Sequence, residues 1–292
     1  MAEQPPAPAT DLSPMEARRL KLLQPLQLSI ISPEKLEHAQ QIIEKDKAIK
    51  PFWVNKYKNE AAKNWDRFYK RNETRFYKDR HWIEREFTIY KQQPTDTKSG
   101  TLNCLEVGCG VGNFIFPVLE RNPHLFMYAC DFAPQAIELV KQHESYKSGR
   151  CSAFVCDLTK DPLTDTIPVG SLDVVSSIFV FSAIPVEKLE AAVRNIKEVM
   201  KPGGMLCFRD YALYDAAQVK FSSNPGHMLD TNLYVRQDGT LSLFFSTEQI
   251  RDLFEKEGFT TAECEYVHRE TINRAMDICI DRRFLQAKFI KQ

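Results

Sequence analysis

The sequence predicts an α/β fold: a Rossmann-like, doubly wound sheet, mostly parallel with an antiparallel edge, preceded by a helical extension that is basic and aromatic. Three observations predict it. β-like and helical segments alternate after residue 100, a glycine-rich turn follows the first of these strands, and the 43% share of hydrophobic residues is that of a globular protein. A fibrous or mostly disordered protein is therefore excluded.

The alternating segments predict the order of the sheet. Five apolar β-like runs are separated by helical patterns, and right-handed crossovers between such runs give parallel strands. Two closing β-like runs, 260–267 and 284–290, predict the antiparallel edge. The predicted parallel strands are 102–107, 125–130, 152–156, 172–181 and 205–210, and the predicted helices among them are 114–120, 134–142, 186–200 and 247–257.

Composition divides the 292 residues into three parts. Residues 1–44 predict a partly mobile tail with a short helix near 15–23, residues 45–95 a basic and aromatic helical segment, and residues 96–292 the α/β domain. The net charge of zero hides this division. Residues 45–91 carry 14 Lys and Arg against 7 Asp and Glu, together with 11 of the 32 aromatic residues.

Two helices are predicted before the sheet, over 33–50 and 56–72. The second places its large apolar residues on one stripe, at Tyr57, Ala61, Trp65, Phe68 and Tyr69, and its cations off that stripe, at Lys63, Arg67, Lys70 and Arg71. Cations neutralise phosphates and aromatic rings stack on unpaired bases, which predicts RNA binding. The alternative is an amphipathic helix packed on the core with a solvated basic rim. The two interpretations are compatible if the aromatic stripe packs over a bound ligand while the cations face RNA.

Several classes of protein are excluded by what the sequence lacks. No apolar run approaches the ~20 residues that a membrane span needs, and the start of the chain does not resemble a targeting peptide. The eight cysteines contain no C-x-x-C pair and have no accompanying His cluster, so neither a metal site nor a disulfide framework is expected. We therefore expect a soluble protein with reduced thiols, located in the cytoplasm and also in the nucleus.

A glycine turn marks the candidate ligand site. The segment LEVGCGVGN places Gly108, Gly110 and Gly112 between a predicted strand and a predicted helix, where free N–H groups of the helix start meet a ligand. A dinucleotide site would have its third glycine at position 113, which is Asn113. The spacing favours S-adenosylmethionine, which has no pyrophosphate. A tight turn without a ligand is the alternative.

Acidic residues at the next two strand ends strengthen this interpretation. Asp131 is placed to accept the ribose hydroxyls, and Asp157 to accept the adenine amine, with a backbone N–H from Leu158 and an apolar floor from Ile178. Each carboxylate alone could be a helix cap or a solvated charge. Together with the glycine turn they predict an S-adenosylmethionine-dependent methyltransferase.

Two motifs that the sequence lacks limit which chemical group could be methylated. Strand four ends in FSAIP rather than in the N/D-P-P-Y form that accepts an exocyclic amine, and no Pro-Cys setting suggests attack at a pyrimidine carbon. Ring nitrogens, oxygens and small molecules remain possible acceptors of the methyl group. The rival interpretations are a methyltransferase acting on a small molecule or protein, and a non-catalytic subunit that binds the cofactor.

Longer segments carry a family resemblance. KNWDRFYKRN, FYKDRHW, ACDFAPQAI, FRDYALYD, YVRQDGT and RRFLQAKF, in this order from about residue 60 onward, resemble the tRNA 3-methylcytidine methyltransferases of the methyltransferase-like group, and the first two are most similar to the serine-tRNA-directed branch. At two positions where that branch often has Ala and Ser, this chain has Val107 and Ala133. Residues 1–55 fall outside the match.

The resemblance implies methylation of cytidine N3 at position 32 in a tRNA anticodon loop, with seryl-tRNA synthetase as a helper. It also implies cofactor contacts from residues that are all present here: Trp65, Tyr69, Gly108, Asp131, Asp157, Leu158 and Ile178.

The chemistry suggests further substrate residues. The base becomes positive as the methyl group arrives, and a carboxylate stabilises such a charge. We expect Asp210 in this role, Tyr211 to stack on the base, and Arg209 or Arg236 to contact phosphate or carbonyl groups; the alternative for Asp210 is a structural anchor. Arg80 and His81 complete the predicted substrate contacts.

Overall fold

The computed structural model describes residues 27–28, 31–92, 100–273 and 278–292. The short helix predicted near 15–23 lies outside these residues. The described part of the extension contains the two-residue strand β1 (Gln27–Leu28) and four helices: α1 (Pro33–Lys45), α2 (Pro51–Asn59), α3 (Ala61–Asn72) and α4 (Ile83–Glu86).

Both helices predicted for the extension have other bounds in the structure. The first ends at Lys45, where the C-cap residue Asp46 takes an extended backbone conformation; Lys50, which precedes Pro51, is also held out of the helical region. The second is interrupted at Glu60, so α2 and α3 are separate helices that meet at a turn. The aromatic stripe of α3 is unaffected by this break.

One sheet organises the α/β part of the chain, in the order β1-β10-β11-β6-β5-β2-β3-β4. Strands β2 to β6 are parallel, and β11 runs antiparallel to both of its neighbours. The strand bounds are β2 (Leu102–Val107), β3 (Leu125–Asp131), β4 (Cys151–Val155), β5 (Leu172–Ile178), β6 (Met200–Tyr211), β10 (Phe259–Asn273) and β11 (Ile278–Lys291). The mostly parallel sheet is confirmed; its antiparallel strand lies inside the edge, because β11 inserts between β6 and β10.

Helices cover the sheet on both faces. Neighbouring strand residues contribute to different clusters of buried apolar side chains, Leu105 to one and Cys104 to the other, because side chains alternate along a strand. The helices concerned are α5 (Ile115–Arg121), α6 (Pro134–Gln142), α7 (Leu189–Val199) and α9 (Thr247–Lys256). The last begins with a capping box formed by Ser246 and Gln249.

A small subdomain between β6 and α9 was not predicted from the sequence. It contains α8 (Ala216–Ser222) and a three-stranded antiparallel sheet of β7 (Met228–Asp230), β8 (Leu233–Val235) and β9 (Leu241–Leu243). The extension is attached to it. Ile49 donates its N–H to the Met228 carbonyl at 2.9 Å, and Asn64 Nδ2 donates to the Gly239 carbonyl at 2.9 Å. This attachment places α3 over the carboxyl ends of the parallel strands.

Candidate active site

Two adjoining cavities lie between α3 and the carboxyl ends of the parallel strands, of about 100 and 280 Å³. They share four lining residues: Trp65, Tyr69, Gly108 and Phe179. Asp131, Asp157 and Leu158 line the smaller cavity, which we call the cofactor cavity. The larger cavity has an aromatic and cationic lining, and we call it the base cavity.

The glycines of the turn between β2 and α5 lie where a side chain would clash, and two of them pack against other elements of the site. Gly108 and Gly110 have φ angles of 58° and 53°, in the left-handed region. A Cβ on Gly108 would lie 2.5 Å from the Val180 side chain, and one on Gly110 would lie 2.8 Å from the Tyr69 hydroxyl. The turn therefore leaves room for α3 to pack directly against its backbone.

Asp131, at the end of β3, is buried beside this turn. Its carboxylate accepts hydrogen bonds from the backbone N–H groups of Gly110 and Ala133, both at 2.9 Å. Burial raises its pKa to about 6, although these hydrogen bonds favour the ionised form. The carboxylate is ionised at neutral pH, and its remaining lone pairs can accept ribose hydroxyls.

Asp157 follows β4 and keeps its charge more easily. Its Oδ1 accepts from the Thr159 N–H at 3.0 Å and the Thr159 hydroxyl at 2.7 Å, while Lys160 lies 3.0 Å from Oδ2. Burial alone would raise the pKa of Asp157, but these interactions outweigh it and the pKa is lowered. Leu158 is buried beside it. The predicted pair of Asp157 and Leu158 lies at one end of the cofactor cavity.

Helix α3 forms the cover of both cavities. Trp65 and Tyr69 are buried, with ring centroids 5.8 Å apart and nearly parallel planes. Trp65 Nε1 is buried without a hydrogen-bond partner in the described part of the chain, which leaves a donor for a ligand. The cations predicted to lie on the other side are indeed exposed: Lys63, Arg67, Lys70 and Arg71.

The base cavity has one aromatic wall. The Phe179 ring lies 5.1 Å from Tyr211 and 5.3 Å from Phe284, measured between centroids. Phe179 has a φ angle of +61°, which is unfavourable for a residue with a side chain and is found mostly at functional sites. The cations on this cavity are Lys78, Arg80, Arg236 and Arg282. A flat, electron-rich ring fits between such groups.

Five predicted residues lie away from the positions expected of them. Gly110 lines the base cavity and not the cofactor cavity, and its N–H is bonded to Asp131. Ile178 lines the base cavity rather than the cofactor cavity, and its carbonyl accepts from Arg80 Nη1 at 3.0 Å. His81 is exposed and lines neither cavity.

Asp210 and Arg209 are the other two. Asp210 is fully buried beneath the wall, where its carboxylate accepts the N–H groups of Ser182 and Tyr211, both at 2.9 Å. Arg209 points to the opposite face of β6 and is only 2% exposed. It donates to Gln286, lies 3.8 Å from Glu86 and stacks over the Trp82 ring at 4.0 Å. Neither lines a cavity, so the roles predicted for them stay predictions.

Sequence reasoning missed several lining residues. Phe179, Arg282, Phe284 and Tyr77 lie in distant parts of the chain. The last three fall within the segments RRFLQAKF and FYKDRHW, which carry the family resemblance, but no spacing or periodicity assigns them to the cavity. Glu106 had a signal, because it precedes the glycine turn. It is fully buried, its Oε2 has no partner in the described residues, and burial raises its pKa well above the ordinary value.

The residues of the cofactor cavity fit S-adenosylmethionine. Two carboxylates at neighbouring strand ends match its ribose hydroxyls and adenine amine, the glycine turn admits a close approach of the backbone, and Trp65 keeps a buried donor unpaired. Within the described ranges, no group of three or more metal-ligating side chains is placed to hold an ion, and no helix is long and apolar enough to cross a membrane.

Known proteins share this architecture. A family model described as a methyltransferase domain matches residues 105–206. The human protein named tRNA N(3)-cytidine methyltransferase METTL6 is 46% identical over 277 residues, covering 95% of this chain and 94% of that protein. The chain belongs to the tRNA N(3)-cytidine methyltransferases.

Other members of the family differ in length. The Schizosaccharomyces pombe tRNA N(3)-methylcytidine methyltransferase trm141 is 47% identical over 244 residues, which cover 83% of this chain and 97% of that protein. The Saccharomyces cerevisiae tRNA(Thr) (cytosine(32)-N(3))-methyltransferase is 38% identical over 263 residues, which cover 87% of this chain but 41% of that protein. A solved S-adenosylmethionine-dependent methyltransferase from Anabaena variabilis shares the fold, with a TM-score of 0.57, 14% identity, and coverage of 79% and 95%.

As a tRNA N(3)-cytidine methyltransferase, the protein has to position its reactants rather than move protons. The N3 lone pair lies in the plane of the cytosine ring and needs no prior deprotonation, so the site must mainly align the ring with the methyl group. The bound cofactor supplies that methyl group from a sulfonium. The cofactor cavity would hold S-adenosylmethionine and the base cavity the cytosine ring, with α3 lining both.

Proposed function

We propose that the substrate is cytidine 32 in the anticodon loop of serine tRNA, methylated at N3 in the cytoplasm and the nucleus. Length separates this chain from the relative whose name specifies threonine tRNA. The chain covers 94% and 97% of METTL6 and trm141, but only 41% of the relative whose name specifies threonine tRNA. The name of that last relative specifies position 32. The resemblance of residues 63–72 and 76–82 points to the same branch.

The RNA in this proposal lies on the exposed cations of α3, with the target base turned out of its loop into the base cavity. Aromatic residues stack on such extruded bases. Lys63, Arg67, Lys70 and Arg71 neutralise phosphates, while Arg80, Arg236 and Tyr211 contact the base or its own phosphate. Seryl-tRNA synthetase assists by presenting the tRNA.

The experiment uses the full chain with labelled S-adenosylmethionine and purified transcripts of serine, threonine and arginine tRNAs, each with and without seryl-tRNA synthetase. We expect transfer to serine tRNA and a higher rate with the synthetase. A serine tRNA carrying uridine at position 32 is the matched control and accepts no methyl group. Equal transfer to threonine tRNA, or transfer to the uridine-32 control, contradicts the proposal.

Asp210 is proposed to stabilise the positive charge on the base from beneath Tyr211. Asp210→Asn keeps the shape of the side chain and removes its charge, so it lowers the single-turnover rate more than the affinity for the cofactor. Single-turnover kinetics and calorimetry on the same preparation measure the two. An equal loss in both, or no change, assigns Asp210 to a purely structural role.

A further inference from the structure

Asp215 is the N-cap of α8 and the last residue of the segment FRDYALYD, and no role was predicted for it from the sequence. It is fully buried and accepts hydrogen bonds from two separate parts of the chain. Ala217 N–H donates to Oδ2 at 3.1 Å, as expected of a helix cap. The backbone N–H of Arg283, on β11, donates to Oδ1 at 2.7 Å.

The most specific partner of Asp215 is the side chain of Arg282. Arg282 Nε lies 2.9 Å from Oδ1 and Nη2 lies 2.8 Å from Oδ2, which is the two-point geometry that fixes a guanidinium in one orientation. The pair joins residues that are 67 positions apart. A helix cap alone requires no such partner.

Arg282 carries this pairing to the base cavity. Its guanidinium carbon lies 5.6 Å from the ring centroid of Tyr211 and 5.3 Å from that of Phe284. Burial opposes the charge of Arg282, but the hydrogen bonds and attraction of Asp215 outweigh it, so the pKa of Arg282 is raised. A permanent cation therefore lies beside the aromatic wall against which the base is expected to stack.

The charge balance of the cavity makes this pairing important. Besides Arg282, the cavity is lined by the cations Lys78, Arg80 and Arg236 and by the buried acid Glu106. When N3 of cytosine attacks, the N–CH₃ bond forms, the S–CH₃ bond breaks with its electron pair going to sulfur, and the positive charge passes to the base. Unbalanced cations around the ring oppose that transfer, most strongly at low local dielectric.

We propose that Asp215 is a positioning residue that fixes Arg282 against the base and cancels its charge, so that Arg282 can donate to the cytosine carbonyl without opposing the positive charge that develops on the ring. The inference rests on the methyl transfer to cytidine N3 that defines the family and does not depend on which tRNA is the substrate.

A double-mutant cycle on the full chain tests this assignment. Asp215→Asn leaves Arg282 unbalanced and lowers the single-turnover rate at saturating tRNA by about 10- to 100-fold, with a smaller change in tRNA affinity. Arg282→Gln removes the donor and weakens tRNA affinity by about 10-fold, with a smaller change in rate. The decisive variant combines both substitutions, and its rate exceeds that of Asp215→Asn because the unbalanced cation is gone.

Controls separate charge balance from folding. Ser246→Ala removes the N-cap of α9, which lies away from both cavities. We expect this variant to have a lower melting temperature but an unchanged methyl-transfer rate, so it controls for a loss of stability alone. If the Asp215→Asn variant does not fold, Asp215→Ser takes its place in the cycle, because serine keeps an oxygen that can cap the helix. Filter binding of tRNA and calorimetry of the cofactor provide readouts besides turnover.

The outcomes are distinct. A double variant no faster than Asp215→Asn, or a rate loss in Ser246→Ala equal to that in Asp215→Asn, overturns the proposal and leaves Asp215 as a structural cap. Every variant is compared with the wild-type protein on whichever tRNA the wild type methylates. If the proposed tRNA is wrong, the wild-type protein does not methylate serine tRNA. That result does not affect the double-mutant cycle.

Discussion

The cofactor cavity and the base cavity share a wall but are built in different ways. The cofactor cavity uses strand ends and turns from one stretch of chain, from the glycine turn after β2 to Lys188 beyond β5, together with α2 and α3. The base cavity combines the extension, the end of β6, the subdomain of β7 to β9 and β11. The first is a local construction on the sheet, whereas the second depends on distant segments held together by individual side chains.

The difference shows which interactions each cavity depends on. The cofactor cavity depends on backbone geometry: its glycine turn contains left-handed residues, and backbone N–H groups hold the Asp131 carboxylate. In the base cavity, buried charges and single hydrogen bonds join the segments, as Asp215 holds Arg282 and Arg80 donates to the Ile178 carbonyl. We therefore expect mutations in the two cavities to fail in different ways.

The largest effect is expected at Arg209, which joins α4 to β6 and β11. Arg209→Leu leaves the buried Glu86 without one of its cationic neighbours and destabilises the fold by about 3–5 kcal/mol. Chemical denaturation measures the loss. The double variant Arg209→Leu with Glu86→Leu is expected to recover part of it, because no unbalanced charge remains; a double variant as unstable as the single one would show that the charge pair is not what joins the segments.

The glycine turn comes next. Gly110→Ala forces a side chain into the left-handed region and against the Tyr69 hydroxyl, at a cost of roughly 1–3 kcal/mol that cofactor binding has to overcome. Calorimetry is expected to show about a 10- to 100-fold loss of cofactor affinity. Gly149→Ala, also in the left-handed region but with open space around it, is the matched control and leaves that affinity unchanged.

The pH dependence separates binding from stability at Asp131. Its pKa in the folded protein is about 6, above the ordinary value of 3.8, so its contribution to stability is present at low pH and is lost as pH rises through about 6. Cofactor binding needs the ionised form and weakens by about 10-fold per pH unit below 6. Asp131→Asn should bind weakly at every pH and show a flatter profile. A wild-type affinity that stays constant from pH 7 to pH 5 would contradict this.

The smallest effect is expected at Asn64, which attaches α3 to the small subdomain through one hydrogen bond to Gly239. Asn64→Ala removes this part-buried hydrogen bond and costs about 1 kcal/mol. Because the bond orders the base side of the site, tRNA affinity falls more than cofactor affinity. Filter binding and calorimetry compare the two. The exposed Asn55→Ala on α2 is the control, and equal losses in both affinities would place the effect on the shared wall instead.

The same contrast explains what the sequence could predict. The parallel strands, the glycine turn and Asp131 were predictable, because periodicity and turn chemistry act over a few residues. The break at Glu60 was not, since a regular apolar stripe continues across it. The meeting of Asp215 with Arg282, and of Asn64 with Gly239, follows from tertiary packing that no local pattern encodes.

Burial also decided which charged residues could serve the site. Arg209 and Asp210 are neighbours at the end of β6, and the sequence offered both as substrate contacts. In the structure they point to opposite faces of one strand, Arg209 beneath Trp82 and Asp210 beneath the turn at Ser182. Side chains alternate along every strand, but which face α4 would cover could not be predicted from the sequence.

Trp65 and Tyr69 border both cavities, and this has a consequence for the order of events during turnover. A movement of α3 away from the glycine turn would open the cofactor cavity, and it would also withdraw the surface on which the anticodon loop is proposed to rest. The tRNA would then dissociate after each methyl transfer, before a new molecule of S-adenosylmethionine binds.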